Sequence, residues 1–187
     1  MPVKAQHDTH YSLWFITFTC FKWKHLFELT KSYDLVYSWF NYLTSTKTAD
    51  VCAYVIMPNH VHVILHIPVG TKTVNTIVGN GKRFMAYALI ERIKAGGFNA
   101  LLEELTIAVT NREKQKGQLH KVFEESFDAK PIFNREFLSQ KLDYIHHNPV
   151  SKKWSLVKDY ADYEHSSASF YESGIARHFT PLHYKEI

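Results

Sequence analysis

Two histidines, His60 and His62, lie two residues apart in a segment of the chain that is otherwise apolar. Residues 60–67 have the sequence His-Val-His-Val-Ile-Leu-His-Ile, a composition typical of a β-strand. Because side chains alternate between the two faces of a strand, both imidazoles would project from one face while the intervening apolar residues are buried on the other. Paired imidazole nitrogens on a rigid strand could hold a divalent metal ion. His66 shares their face and could be a third ligand, but its place near the strand end favours a surface role.

A tyrosine and an asparagine, Tyr144 and Asn148, form a second set of side chains that could take part in a reaction. They are four residues apart in a segment that Asn134 can cap as a helix, so they share one helix face. Pro149 disfavours helical backbone at the residue before it and predicts that Asn148 lies in a frayed last turn. A phenol is a weak nucleophile at neutral pH, but a divalent cation that polarises a phosphate oxygen could assist its attack on phosphorus. The amide oxygen of Asn148 could complete the metal's ligands.

Basic and aromatic residues elsewhere could bind nucleic acid beside such a site. Residues 22–24 are Lys-Trp-Lys, which could stack a base and hold phosphate, although an ordinary solvated loop has the same composition. A second basic pair, Lys82 and Arg83, falls on a predicted long helix, where such charges are routine. A third pair, Lys152 and Lys153, directly follows the helix that carries Tyr144, which is the better position for contact with DNA. The candidate DNA-binding residues are Lys22, Trp23, Lys24, Lys82, Arg83, Lys152 and Lys153.

The elements that must position these residues follow an α+β pattern. Strand-like composition occurs at residues 11–21, 51–57 and 60–67, and residues 120–133 indicate short strands or an extended crossing segment. Helical spacing of apolar residues occurs at residues 32–43, 73–94, 101–116 and 135–147. The short link Pro58-Asn59 predicts that the second and third strands form an antiparallel hairpin. This order predicts a ferredoxin-like antiparallel sheet with helices packed on one face.

Length and composition indicate one globular domain. The 187 residues are 45% hydrophobic and 21% charged, which supplies a core and excludes a disordered chain. We expect a single domain over residues 1–187, with residues 151–187 as a C-terminal extension because they show no clear periodicity. The formal net charge of +4 is compatible with a polyanionic partner.

Several classes of protein are disfavoured by what the sequence lacks. Cys20 and Cys52 are the only cysteines and form no Cys-x-x-Cys motif, so neither a zinc ribbon nor a redox motif is supported. No apolar run approaches the length of a membrane-spanning helix, and the N-terminus has no apolar signal segment. These features predict a cytoplasmic protein without a membrane partner.

At three segments the chain resembles a known family. Residues 57–62, Met-Pro-Asn-His-Val-His, match the His-hydrophobic-His segment of the HUH single-tyrosine transposases. Residues 144–150, Tyr-Ile-His-His-Asn-Pro-Val, resemble the tyrosine helix of the REP-associated branch of that family, and residues 162–167 are similar to a downstream segment of the branch. These parts occur in the family's order over roughly residues 11–170.

The resemblance implies a metal-dependent nuclease and strand transferase that acts on single-stranded DNA, often with hairpin recognition, on a ferredoxin-like fold. His60 and His62 match the family's metal ligands for Mg²⁺ or Mn²⁺, and Tyr144 matches the nucleophile that forms a covalent 5′-phosphotyrosine. Asn148 matches a position where relatives carry a Gln or Asn that assists the metal. The protein would act as a monomer or a homodimer. The charged stretch at residues 101–116 departs from the compact family members and leaves the DNA contacts open.

Three alternatives remain open at this point. An HUH replication initiator or relaxase would share the chemistry, but such proteins usually carry larger accessory domains. A non-catalytic nucleic-acid-binding module on the same fold would not need the reactive residues that this chain retains. A metal-dependent hydrolase unrelated to DNA would leave Tyr144 without a role.

Overall fold

A four-stranded antiparallel sheet forms the centre of the fold in a computed structural model that describes residues 11–187. The strands are β1 (Leu13–Thr19), β2 (Asp50–Met57), β3 (His60–His66) and β4 (Asp128–Pro131). Their spatial order is β2-β3-β1-β4, with β2 and β3 forming the predicted hairpin. The pairing of β1 with β3 sets Thr17 opposite His62 and Thr19 opposite His60. The histidines therefore lie on an inner strand, whose backbone is held from both sides.

Within residues 11–187, seven α-helices connect and cover these strands. They are α1 (Leu26–Leu29), α2 (Tyr33–Ser45), α3 (Val74–Ala95), α4 (Asn99–Ile107), α5 (Asn111–Gln115), α6 (Arg135–His147) and α7 (Ala168–Ser173). The predicted cap of α6 is confirmed, since the Asn134 side chain accepts a hydrogen bond from the backbone N–H of Phe137 at 2.7 Å. In the part of the chain that the structure describes, no helix combines the length and apolar character needed to cross a bilayer.

One face of the sheet packs against α2 and α3. The alternation along β3 buries Val61, Val63 and Leu65 on this face, as the sequence predicts. Aromatic side chains of α2, among them Trp39 and Phe40, fill the space between helix and sheet. This cluster is the larger part of the core and holds rigid the strand that carries the two histidines.

The opposite face of the sheet packs against α6. Leu138 and Ile145 of this helix contact Phe15, Val55 and Ile64 in a second apolar cluster. The prediction of an α+β fold with an antiparallel sheet is confirmed, but the helices do not all lie on one face. The apolar stripe of α6 requires burial, and the face that remains uncovered by α2 and α3 provides it.

Residues 151–187 close the outer edge of β2. The backbone N–H of Ile56 donates to the carbonyl of His165 at 2.8 Å, and that of Ser167 donates to the carbonyl of Tyr54 at 2.9 Å. Further along, the N–H of Leu182 donates to the carbonyl of Val51 at 2.9 Å. These bonds satisfy edge groups that would otherwise be open to pairing with another chain.

Candidate active site

Helix α6 sets Tyr144 beside the two histidines of β3. The ring centroid of Tyr144 lies 5.0 Å from that of His62 and 6.0 Å from that of Phe15. His60 and His62 face each other with centroids 4.7 Å apart, and both are buried, at 3% and 4% exposure. Tyr144 is 47% exposed. The site thus combines a buried pair of imidazoles with a phenol that an outside molecule can reach.

Hydrogen bonds on Nδ1 orient both imidazoles. Nδ1 of His60 lies 2.6 Å from Oδ1 of Asn59, whose amide nitrogen donates to the carbonyl of Trp23 at 2.7 Å. Because that second bond assigns the amide oxygen as an acceptor, Nδ1 of His60 must donate, and its Nε2 keeps a free lone pair. Nδ1 of His62 lies 2.7 Å from Oγ1 of Thr17. Partners of this kind fix the ring orientation of metal-binding histidines.

Asn148 lies against His62 in a conformation that the sequence did not predict. Its backbone is helical, with φ −55° and ψ −45°, although Pro149 follows it, so the prediction of a frayed last turn was wrong. The helix continues into a 3-10 turn at Asn148–Val150, and the buried Asn148 side chain packs on the sheet. Its amide nitrogen lies 3.3 Å from Nε2 of His62. Tertiary contact therefore outweighs the local steric preference.

The amide oxygen of Asn148 is buried and has no hydrogen-bond partner among the described residues. An unsatisfied buried acceptor costs about 1–3 kcal/mol, so its presence indicates a missing partner. Amide oxygen and nitrogen have nearly the same shape, and a half-turn of the side chain would aim the oxygen toward Nε2 of His62. A cation held near this nitrogen would satisfy the oxygen.

The donor set fits a divalent cation that accepts both nitrogen and oxygen ligands. Within residues 11–187 the structure contains no cluster of three or more His, Cys, Asp or Glu side chains able to hold a metal. A metal at this site would therefore be held by Nε2 of His60, Nε2 of His62 and Oδ1 of Asn148, with water or phosphate oxygens as further ligands.

Burial keeps both imidazoles neutral at physiological pH. Burial, with smaller contributions from the positive charges of Lys153 and His25, lowers the pKa of His60 to about 4. Burial, the neighbouring His60 and the charge of Lys141 lower the pKa of His62 well below 6.5. Since only the neutral imidazole binds a metal, protons compete weakly for this site at pH 7.

A cleft of about 370 Å³ opens over these residues. Its walls include four residues that the sequence places at the reaction centre and two of the candidate DNA-binding residues. The lining residues are Trp23, His60, His62, Asp143, Tyr144, His147, Asn148, Ser151, Lys153 and Trp154. The structure thus brings together groups from β3, α6 and the loops that follow β1 and α6.

The other candidate DNA-binding residues do not line this cleft. Lys22 and Lys24 form ion pairs with Glu104, with nitrogen–oxygen distances of 3.6 and 2.7 Å. Lys82 donates to the backbone carbonyl of Glu124 at 2.6 Å. Arg83 lies over the ring of Phe84 on α3, 5.0 Å from its centroid, and Lys152 is exposed beside the cleft.

Sequence reasoning missed Trp154, Thr17 and Asn59. Trp154 follows two lysines, so the same basic–aromatic pattern that drew attention to residues 22–24 could have identified it. The role of Thr17 depends on the register of β1 against β3, which leaves no signal in local spacing. The role of Asn59 depends on the conformation of the hairpin turn.

Comparison with solved structures finds the same fold in a transposase. A REP-associated tyrosine transposase bound to a REP hairpin matches 95% of this chain and 92% of its own, with a TM-score of 0.61 and 18% sequence identity. A candidate transposase from Deinococcus radiodurans R1 matches 76% of this chain and 94% of its own, with a TM-score of 0.41 and 14% identity. No protein-family model and no curated protein sequence matches the chain.

Proposed function

We propose that this chain nicks and rejoins single-stranded DNA through a covalent phosphotyrosine, as a transposase of the REP-associated type. The observation that carries the proposal is the position of Tyr144, half exposed in an open cleft and 5.0 Å from the ring of His62. Asn148 supports a metal-dependent site, because its amide nitrogen lies 3.3 Å from Nε2 of the same imidazole and its oxygen is buried without a hydrogen-bond partner among the described residues. The fold shared with a REP-associated tyrosine transposase supports the same reaction class.

The proposed reaction exchanges one phosphodiester for another. The phenolic oxygen of Tyr144 forms a bond to the scissile phosphorus, and the bond between phosphorus and the 3′ oxygen breaks. The phenol loses a proton, the departing 3′ oxygen gains one and is released with the upstream segment, and the downstream segment remains linked to Tyr144 through its 5′ phosphate. Attack by the 3′ hydroxyl of another strand reverses these steps and regenerates the tyrosine. The bond energy is conserved throughout, so no external energy source is required.

Other residues of the site would bind the metal ion and orient its ligands. His60, His62 and Asn148 would hold Mg²⁺ or Mn²⁺, which when bound stabilises negative charge that develops on the phosphate. Thr17 and Asn59 orient the imidazoles through Nδ1. Burial of the imidazoles excludes water from one side of the phosphate, while the open side of the cleft admits the strand.

The proposed substrate is single-stranded DNA that carries a hairpin. The REP-associated transposase of the same fold was solved with a REP hairpin, and it is covered over 92% of its length by this chain. His62 and Tyr144 of one chain already lie in contact, so a single copy supplies both halves of the site. This arrangement supports action as a monomer, one of the two states that the sequence left open.

A covalent adduct assay tests the proposal. Single-stranded hairpin DNA labelled at its 3′ end, which stays with the protein in a 5′-phosphotyrosine, is incubated with the protein and Mn²⁺, and the mixture is separated on a denaturing gel. We expect a labelled protein band with the wild type and none with Tyr144→Phe or His62→Ala. Cleavage that persists in Tyr144→Phe would remove the tyrosine mechanism. Binding of several hairpins without an adduct would favour a non-catalytic module.

A further inference from the structure

Two tryptophans from separate loops converge on His60. The ring centroid of Trp23 lies 5.6 Å from that of His60, and the centroid of Trp154 lies 5.5 Å from it. Trp23 follows β1, and Trp154 follows α6. Trp23 is 52% exposed and belongs to neither apolar cluster, whereas Trp154 packs one side on the α6 cluster and is partly exposed. The indoles therefore border the cleft at the metal-binding end.

A lysine side chain lies against both indoles. Nζ of Lys153 is 4.6 Å from the ring centroid of Trp23 and 5.3 Å from that of Trp154. The space beside the two rings is thus reached by a flexible cation that can move away. A nucleobase presents a flat π-face that stacks on an indole, and its phosphate attracts the displaced ammonium group.

The loop that carries Trp23 is held in an unusual conformation. Lys22 and Trp23 have φ values of 50° and 57°, in the left-handed region that non-glycine residues rarely occupy. Three contacts anchor the loop: Asn59 Nδ2 to the carbonyl of Trp23, the N–H of Lys22 to Glu124 at 2.8 Å, and Lys24 to Glu104 at 2.7 Å. Backbone strain maintained by its surroundings clusters at ligand sites. Ser155, directly after Trp154, is also left-handed, with φ 47°.

These anchors give residues 96–130 a role. Glu104 on α4 and Glu124 ahead of β4 bind the loop through Lys24 and the backbone of Lys22. The segment therefore supports the position of Trp23 through its acidic residues. This arrangement also explains why Lys22 and Lys24 do not reach the cleft: their charges hold the loop instead.

We infer that Trp23 and Trp154 form a stacking site for one unpaired nucleobase of the DNA strand, next to the phosphate that Tyr144 attacks, with Lys153 binding a phosphate of that nucleotide. The inference rests on the proposed function and adds to it a recognition element on the single-stranded part of the substrate. The site accepts any base by its π-face, so it positions the strand and does not select its sequence.

Binding measurements in the Tyr144→Phe background test the inference without interference from the adduct. The probe is a fluorescein-labelled, mixed-sequence 12-nucleotide DNA strand, followed by anisotropy. We expect Trp23→Leu and Trp154→Leu each to weaken binding about 5- to 100-fold, since leucine keeps apolar volume but cannot stack. The Trp→Phe variants should stay within about threefold of the parent. Tyr87→Leu, at an exposed aromatic on α3, is the matched control and should bind as the parent does.

Two further measurements separate stacking from packing and from charge. In the parent protein, an abasic nucleotide is placed at successive positions in the single-stranded flank of a hairpin probe, whose duplex fixes the register of the flank. Binding should weaken at one position, and Trp23→Leu should lose this position dependence. Lys153→Ala should lower the slope of log Kd against log salt by about 0.7, the value for one phosphate contact on a single strand, while the abasic effect remains. The abasic series compares the parent with Trp23→Leu and needs no substitution at Trp154, so it tests the stacking site even if Trp154→Leu fails to fold.

The outcomes for the two proposals are distinct. A wild-type protein that forms the adduct, with leucine variants that bind like the parent and no position-dependent abasic effect, would overturn the stacking site and leave the proposed function standing. A wild-type protein that neither binds DNA nor forms an adduct would overturn the proposed function itself. Loss of binding in Tyr87→Leu equal to that in Trp23→Leu would also overturn the stacking site.

Discussion

The amide nitrogen of Asn148 lies 3.3 Å from Nε2 of His62, across 86 residues of sequence. The oxygen of the same amide is buried and unpartnered among residues 11–187. Such an arrangement would lower the stability of the fold if Asn148 had only a structural role, because one buried acceptor remains without a hydrogen bond. It suits a side chain that turns its oxygen toward a cation, and the proposed metal site can therefore be tested without DNA.

Replacement of Asn148 by leucine should separate stability from metal binding. Asn148→Leu removes the unsatisfied oxygen, so the metal-free protein should be as stable as the wild type or more stable. Mn²⁺ present at about 100 times its Kd should stabilise the wild type by about 2.7 kcal/mol and the variant by much less. Thermal unfolding with and without MnCl₂ measures both effects. Asn148→Asp keeps an oxygen ligand and is the control; an equal Mn²⁺ response in all three proteins would contradict the assignment.

Thr17 should act on the metal through the orientation of His62. Its hydroxyl lies 2.7 Å from Nδ1 of that imidazole. Thr17→Val has the same shape without the hydroxyl and should weaken Mn²⁺ binding about 10- to 100-fold, as is typical when the partner of a metal-binding histidine is lost. Thr17→Ser retains the hydroxyl and should restore affinity. The Mn²⁺ dependence of the unfolding temperature reports the change, and a valine variant with wild-type affinity would show that the bond is dispensable.

Buried histidines should make the metal-free protein sensitive to mild acid. Burial lowers the pKa of His60 and of His146 from 6.5 to about 4. Between about pH 4 and pH 6.5 the unfolded chain binds more protons than the folded one. The free energy of unfolding therefore falls as the pH is lowered through this range. The loss is about 1.4 kcal/mol per pH unit for each such group.

His146 offers a test of this dependence outside the cleft, where its Nε2 lies 3.0 Å from Oγ of Ser167. In His146→Gln the slope of stability between pH 4.5 and 6.5 should be shallower by about one proton. Urea unfolding in EDTA at several pH values gives the slope. An unchanged slope would mean that this imidazole titrates normally in the folded protein.

The two glycines of α3 should respond in opposite directions to alanine. A Cβ at Gly81 would lie 2.6 Å from Cε2 and Nε1 of the buried Trp39, so Gly81→Ala should lower the free energy of unfolding by about 1–3 kcal/mol. A Cβ at Gly79 would meet nothing within 4 Å, so Gly79→Ala should raise it by about 0.5–1 kcal/mol. Chemical denaturation of both variants checks the pair. A Gly81→Ala protein as stable as Gly79→Ala would contradict the close approach of α2 and α3.

Local rules predicted some features well and failed at others for identifiable reasons. The Asn134 cap, the hairpin and the helix that carries Tyr144 follow from residues close in sequence, and the structure contains them. Residues 120–133 were predicted to form short strands or an extended crossing segment, and the structure has one short strand there, Asp128–Pro131, because pairing with β1 decides its length. Asn148 keeps helical backbone before Pro149 because its side chain is buried against the sheet.

The sequence by itself determined which side chains share a face. His60 and His62 project together because a strand repeats every two residues, and Tyr144 and Asn148 project together because a helix repeats in fewer than four. These are local properties of the backbone. The tertiary structure alone decided that α6 packs on the face that carries the histidines, that Thr17 lies opposite His62, and which basic residues reach the cleft. Such relationships join residues far apart in sequence through packing and strand register, for which local periodicity contains no signal.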